Sequence, residues 1–111
     1  MAKRKHSYAP AARDAAQLLA AQIRDARASR RWAVRELSER AGISTDTLRK
    51  VERGDPTVAL GTAFDVASLL GVPLFYEDRA RLADEAARVR REPTLIRRVV
   101  RPRGTELDND F

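Results

Sequence analysis

The chain has no cysteine among its 111 residues, and only one histidine, one methionine and one tryptophan. Without cysteine there is neither a disulfide nor a thiolate metal site. His6 alone cannot supply the ligand set that a structural zinc ion needs, so no metal is expected. Glycine is almost as sparse. Gly42, Gly54, Gly61, Gly71 and Gly104 are too dispersed to cradle a nucleotide phosphate, no Ser-His-Asp set is evident, and no other cofactor motif is seen. No enzyme, no catalytic residue and no cofactor is therefore expected. Long apolar runs are missing too. The stretch Leu18–Ile23 is far too short to span a bilayer, and the basic start MAKRK is not followed by the apolar core of a secretory signal. The expectation is a cytoplasmic protein with no membrane partner. At this length there is room for one domain plus tails, with a modest core but no large enclosed active site.

What the chain does have is positive charge. The formal net charge is +6 and the sequence pI is about 10.7, a balance that favours a polyanionic partner. Its distribution says more than its total. Residues 1–13 carry Lys3, Arg4, Lys5 and Arg13 with no acid, and residues 27–53 carry eight basic against four acidic side chains. Residues 54–92 are net acidic.

Periodicity and punctuation divide the chain. Residues 1–9 read as a basic disordered tail. Pro10 suits a first helical turn, and Ala11–Ser29 reads as helix one, with Ala15, Leu18, Leu19, Ile23 and Ala26 near one face. Arg30 and Arg31 end it. Gly54–Leu60 is a loop. Gly61–Leu70 is a helix whose Ala63, Phe64, Val66, Ala67 and Leu70 face the core, stopped at Gly71. Glu77–Arg91 is a last helix with acids early and arginines late, and Pro93 ends it. The expected organisation is a helical unit at 10–76, a C-terminal helix at 77–92, and an extended arm with an acidic-apolar tail at 93–111.

The informative stretch is Trp32–Gly54, WAVRELSERAGISTDTLRKVERG. It reads as two short helices meeting at a steep angle over a tight turn at Gly42, where a positive φ is needed. Leu37 and Ala41 share a face of the first, Leu48 and Val51 share a face of the second, and Ile43 closes the space between them. Ser44 is a good N-cap for a helix over Thr45–Arg53, and Gly54 a good stop. The earlier helix starts near Ala33, a poor N-cap. Glu36 at the carboxylate position of a capping box, and Trp32 with Leu37 at staple spacing, are the expected compensation.

With those residues in place, Leu19–Leu74 resembles the Xre/Cro-type repressor DNA-binding domain. The likeness rests on Ile23 and Arg27, the run Glu36–Ser44 (ELSERAGIS), Leu48, the run Val51–Gly54 (VERG) and the run Leu69–Leu74 (LLGVPL). The resemblance implies an all-α, five-helix, lambda-repressor-like fold that binds double-stranded DNA. It also implies an ion pair between Arg27 and Glu52. In that family a Thr-Gln pair opens helix two and the glutamine touches the DNA backbone. Here Ala33–Val34 stand in its place, so Val34 takes the contact position and Arg35 is a candidate substitute.

A recognition helix presents its N-terminal residues to base edges in the major groove. Thr45, Asp46, Arg49 and Lys50 project away from the Leu48–Val51 seam, and the resemblance places the main base readers at Thr45, Asp46 and Lys50. Arg49 or Lys50 could bond to guanine, Asp46 could accept from cytosine, and the Thr45 methyl could meet thymine. Ser44, Thr47 and Arg53 are assigned to phosphate. One such module reads few base pairs, so a homodimer on a palindromic operator is expected. Its contact surface is drawn from Phe64, Val72, Leu74, Phe75, Tyr76 and the apolar side of Glu77–Arg91.

Beyond the minimal unit, Pro93–Arg103 combines β-branched residues with arginines; it could form a short β-strand or a loose basic arm. The ending ELDNDF is acidic with apolar Leu107 and Phe111. Together with the loop GDPTVALGTA, it resembles the HipB-like antitoxins. That resemblance implies a repressor of its own operon that neutralises a HipA-type kinase toxin, and Leu107 and Phe111 are the candidate toxin anchors. The alternatives are a stand-alone Xre-family regulator and a protein-interaction module that no longer binds DNA.

Overall fold

The computed structural model describes residues 7–92. Among them are five helices and no strand: α1 (Pro10–Ser29), α2 (Val34–Ala41), α3 (Thr45–Glu52), α4 (Leu60–Leu69) and α5 (Arg79–Arg91). The chain divides into two compact units between Leu74 and Phe75. Helices α1–α4 make the first and α5 belongs to the second.

The first unit is built around one apolar cluster. Ile23 from α1, Leu37 from α2, Leu48 and Val51 from α3, Val66 and Ala67 from α4, and Leu70 and Val72 after it are buried together. Leu19, Ala26, Trp32, Val34, Ala41, Ile43, Val58 and Leu74 pack around them. The heptad-like spacing of Leu19, Ile23 and Ala26 turns the inner stripe of α1 toward this cluster. Ala15 and Leu18, expected on the same face, are exposed, Leu18 by 62 %. The buried α1 positions are Ala20 and Ile23. Leu18 lies a quarter turn or more from that stripe, and in an alanine-rich helix the pattern alone did not fix which leucine turns inward. Ala63 and Phe64 of α4 are only half-buried.

Each of the first four helices ends in the same way. Beyond α1, the Arg31 N–H donates to Ala28 C=O and the Trp32 N–H to Arg27 C=O. The pairs Gly42 to Glu39 with Ile43 to Ser38, Gly54 to Val51 with Asp55 to Lys50, and Gly71 to Ser68 with Val72 to Ala67 repeat it after α2, α3 and α4. This pair of hydrogen bonds is the Schellman termination, which needs a left-handed residue at its pivot. The pivots are Arg31, Gly42, Gly54 and Gly71, with φ of 58°, 71°, 74° and 76°. In three of the four motifs the following residue, Trp32, Ile43 or Val72, drops its side chain onto the core. The motif thus reverses the chain and adds an apolar anchor in one step.

Helix starts are less uniform. Ser44 caps α3, its Oγ accepting from the Thr47 N–H at 3.0 Å. Ala33 gives α2 no side-chain cap. The expected capping box does not form there: Ala33 has no side-chain acceptor for it, and Glu36 pairs with Arg40 one turn on, at 3.1 Å. Trp32 is the stronger clamp, packed on the core with the Arg40 guanidinium 4.2 Å above its ring.

In the second unit, α5 starts at Arg79 rather than Glu77, with Asp78 Oδ1 accepting from the Ala80 N–H at 2.9 Å. The acids expected in its first turn therefore precede the helix; Asp78 serves as the cap. Arg88, Arg90 and Arg91 do lie in its last turn. Arg88 bonds Glu85 at 2.8 Å, which holds the Glu85 carboxyl below its ordinary range. Residues 93–111, including the expected arm or strand and Leu107 and Phe111, lie outside the described residues.

Two glycine pivots give a test of this packing. A Cβ at Gly42 meets nothing within 4 Å, whereas one at Gly54 lies 3.0 Å from the Gln17 Cα of α1. Gly42→Ala should cost only the left-handed strain, roughly 1–2 kcal/mol. Gly54→Ala should cost clearly more, because backbone cannot swing aside. Urea unfolding should rank the midpoints parent, Gly42→Ala, Gly54→Ala; equal midpoints would show that α1 does not press on the end of α3.

Candidate nucleic-acid interface

Helix α3 is short, so its sides are easily separated. Leu48, Val51 and Glu52 are buried. Asp46, Arg49, Lys50 and Arg53 are exposed, and Thr45 and Thr47 are half-buried. At 3.6 residues per turn, Arg49, Arg53, Asp46 and Lys50 follow one another across a single arc of about 100°. The outer face is thus three cations around one carboxylate, backed by an inner face locked into the core. Nothing in the described chain covers Arg49 or Lys50.

Two elements hold that orientation. On one side α2 brings Leu37 and Ala41 against Leu48 and Val51, within the same cluster. On the other, the end of α3 is tied to α1. The Arg27 Nε donates to Glu52 Oε2 at 2.7 Å and its Nη2 to Oε1 at 3.0 Å. Its Nη1 donates to the Trp32 carbonyl at 2.9 Å. The hydrogen bond to Glu52 raises the Arg27 pKa further, against the opposing pull of burial. The ion pair implied by the sequence is thus present, and one guanidinium joins α1, α3 and the approach to α2. Arg24, which the sequence did not single out, adds a hydrogen bond from its guanidinium to the Glu52 carbonyl.

The other candidate residues fall into separate settings. The Ser44 and Thr47 hydroxyls are hydrogen-bonded to each other at 2.9 Å, and so take part in the cap of α3. Arg53 reaches Asp55 only at 3.9 Å and stays exposed. Asp55 accepts from the Thr57 hydroxyl at 2.7 Å and from its N–H at 2.9 Å. Those bonds, with Arg53 and Lys50 nearby, keep its carboxyl below the ordinary range. Arg35 is exposed, with Glu39 at 3.7 Å, a pair worth little at a surface. Val34, which opens α2, has its side chain half-buried and packed against the core. The proposed dimer surface also changes, because Val72 is buried in the core and Leu74 packs against it. Phe75 is 81 % exposed and Tyr76 lies under the Arg81 guanidinium at 4.5 Å.

A family model for the helix-turn-helix matches residues 23–76. Those residues are a helix-turn-helix domain of the Xre/Cro type. Comparison with curated proteins and with solved structures gives no significant match. The helix-turn-helix domain is that of a DNA-binding regulator. Its matched segment begins at Ile23, part-way along α1, so the first turns of α1 lie beyond it. Among the described residues no helix is long and apolar enough to cross a membrane.

The Arg27–Glu52 pair is mostly sheltered, with 21 % and 9 % of the side chains exposed. Glu52→Ala should therefore lower stability by about 2–3 kcal/mol, since it strands a hydrogen-bonded guanidinium. Replacing both partners by apolar residues should recover much of that loss. Urea unfolding of the single and double variants measures both effects; a Glu52→Ala change within the scatter of surface substitutions would show that the pair is not structural.

Proposed function

We propose that this chain is a sequence-specific repressor that binds palindromic DNA as a homodimer through the outer face of α3. One observation carries the reading: the arc of Arg49, Arg53, Asp46 and Lys50 is exposed on a helix whose opposite side is fixed in the core. Arginine and lysine in such an arc fit guanine O6 and N7, and the neighbouring carboxylate fits a cytosine amine. Arg53 at the end of the helix, with Arg35 and the uncapped amides at the start of α2, suits phosphate. The half-buried Thr45 brings its methyl to the edge of the arc. A dimer supplies two such helices, one for each successive turn of the major groove.

Lys50→Ala should relax specificity at one operator position, whereas Arg53→Ala should weaken operator and random duplex alike and reduce the salt slope by about one. Binding titrations at several salt concentrations separate the two. If both variants bind like the parent, the outer face of α3 is not the reading surface.

We further propose that the chain acts as the antitoxin of a HipA-type kinase toxin, repressing the operon that encodes both. The support is the likeness of GDPTVALGTA and of the acidic-apolar terminal segment to HipB-like antitoxins. Leu107 and Phe111 are the residues we assign to the toxin. Deleting Glu106–Phe111 should leave operator affinity unchanged and weaken binding to the purified kinase. Unchanged kinase binding would remove those anchors, and no binding by the full chain would leave a stand-alone regulator.

A further inference from the structure

Four helix ends in the first unit use the same left-handed pivot, and three of them place glycine there. The fourth is Arg31, at φ 58°. Its backbone bonds are those of the other three pivots, so nothing in the turn itself calls for a side chain. A Cβ in this region is strained, and glycine would remove the strain. Strain that the fold does not need points to a use for the side chain.

The side chain is a long cation, exposed, and its guanidinium has no hydrogen-bond or ion-pair partner among the described residues. Its neighbours differ in this respect. Arg27 is spent on Glu52 and the Trp32 carbonyl. Arg30 bonds back to the Ala26 carbonyl and lies 5.5 Å over the Trp32 ring. Arg31 alone of the three is uncommitted. Its place is also fixed tightly, because Trp32 is anchored on the core and α2 begins at Val34. In a helix-turn-helix the first helix of the motif crosses the phosphate backbone while the second enters the groove. Arg31 stands three residues before that first helix. A bidentate guanidinium matches a phosphate in charge and shape.

We propose that Arg31 is a contact to a backbone phosphate of duplex DNA, and that the left-handed arginine at the α1–α2 corner is kept for it. This rests on the reading of α3 as a DNA-binding helix. It is distinct from that reading, because Arg31 lies outside the recognition helix and outside the residues assigned above. The contact is blind to base sequence, so it sets affinity and register rather than specificity.

Arg31→Gly and Arg31→Lys test it on the full chain, each measured by urea unfolding and by binding to operator and random duplex over a range of salt. Arg31→Gly should raise the unfolding midpoint, weaken both duplexes to the same degree, and lower the salt slope by about one. Arg31→Lys should keep the parent's salt slope. A Gly variant with higher midpoint and the parent's slope would overturn the proposal while leaving the α3 reading intact. A parent chain that binds duplex DNA with no salt dependence would overturn both.

Discussion

The structure of the first unit depends on a carboxylate buried at the end of a short helix. Glu52 is buried, where an unpaired charge is costly, and so must be met by a cation. Arg27 meets it with two hydrogen bonds, and α1 is thereby fixed against the last turn of α3. The third bond of the same guanidinium, to the Trp32 carbonyl, sets where the chain leaves α1 for α2. Helices of eight residues are marginal by themselves, since nucleation is costly and few bonds follow. Both α2 and α3 are of this length. They persist because the ion pair and the apolar cluster hold them in one arrangement.

From that arrangement the outward face follows. Once Leu48, Val51 and Glu52 are turned inward, the helical period leaves Asp46, Arg49, Lys50 and Arg53 no other direction than outward. Stability is therefore carried by one side of these two turns, and the surface we propose for recognition lies on the other. The cost of a solvent-facing cation cluster is small, while the inner side is where substitutions are felt. Such a division lets the outer residues vary in chemistry without disturbing the frame that aims them.

Much of this was legible in the amino-acid order, for reasons that are local. Ser44 as a cap, Gly42, Gly54 and Gly71 as stops, and the Leu37, Ala41, Leu48, Val51 seam are each decided within a few residues by hydrogen-bonding reach or helical period. The Arg27–Glu52 pair was legible through family likeness. What escaped depends on distant neighbours or on competition. Leu18 faces outward because only one stripe of an alanine-rich helix can meet the core. Glu36 has no capping box to complete, because Ala33 offers no side-chain acceptor, and it pairs with Arg40 instead. Val34 packs partly against the core, and Gln17 lies against Gly54 across 37 positions of chain. Arg31 escaped because arginine is common at helix ends, and its type says nothing of a left-handed backbone.

Trp32 is the single tryptophan of the chain. It sits at the α1–α2 corner, partly on the core and partly against the guanidiniums of Arg30 and Arg40. Its indole is therefore a built-in optical reporter placed between the frame and its cationic surface. Light absorbed at the red edge of the aromatic band is emitted from that one corner, so a shift in colour or yield records locally whether the joint is intact, without any label.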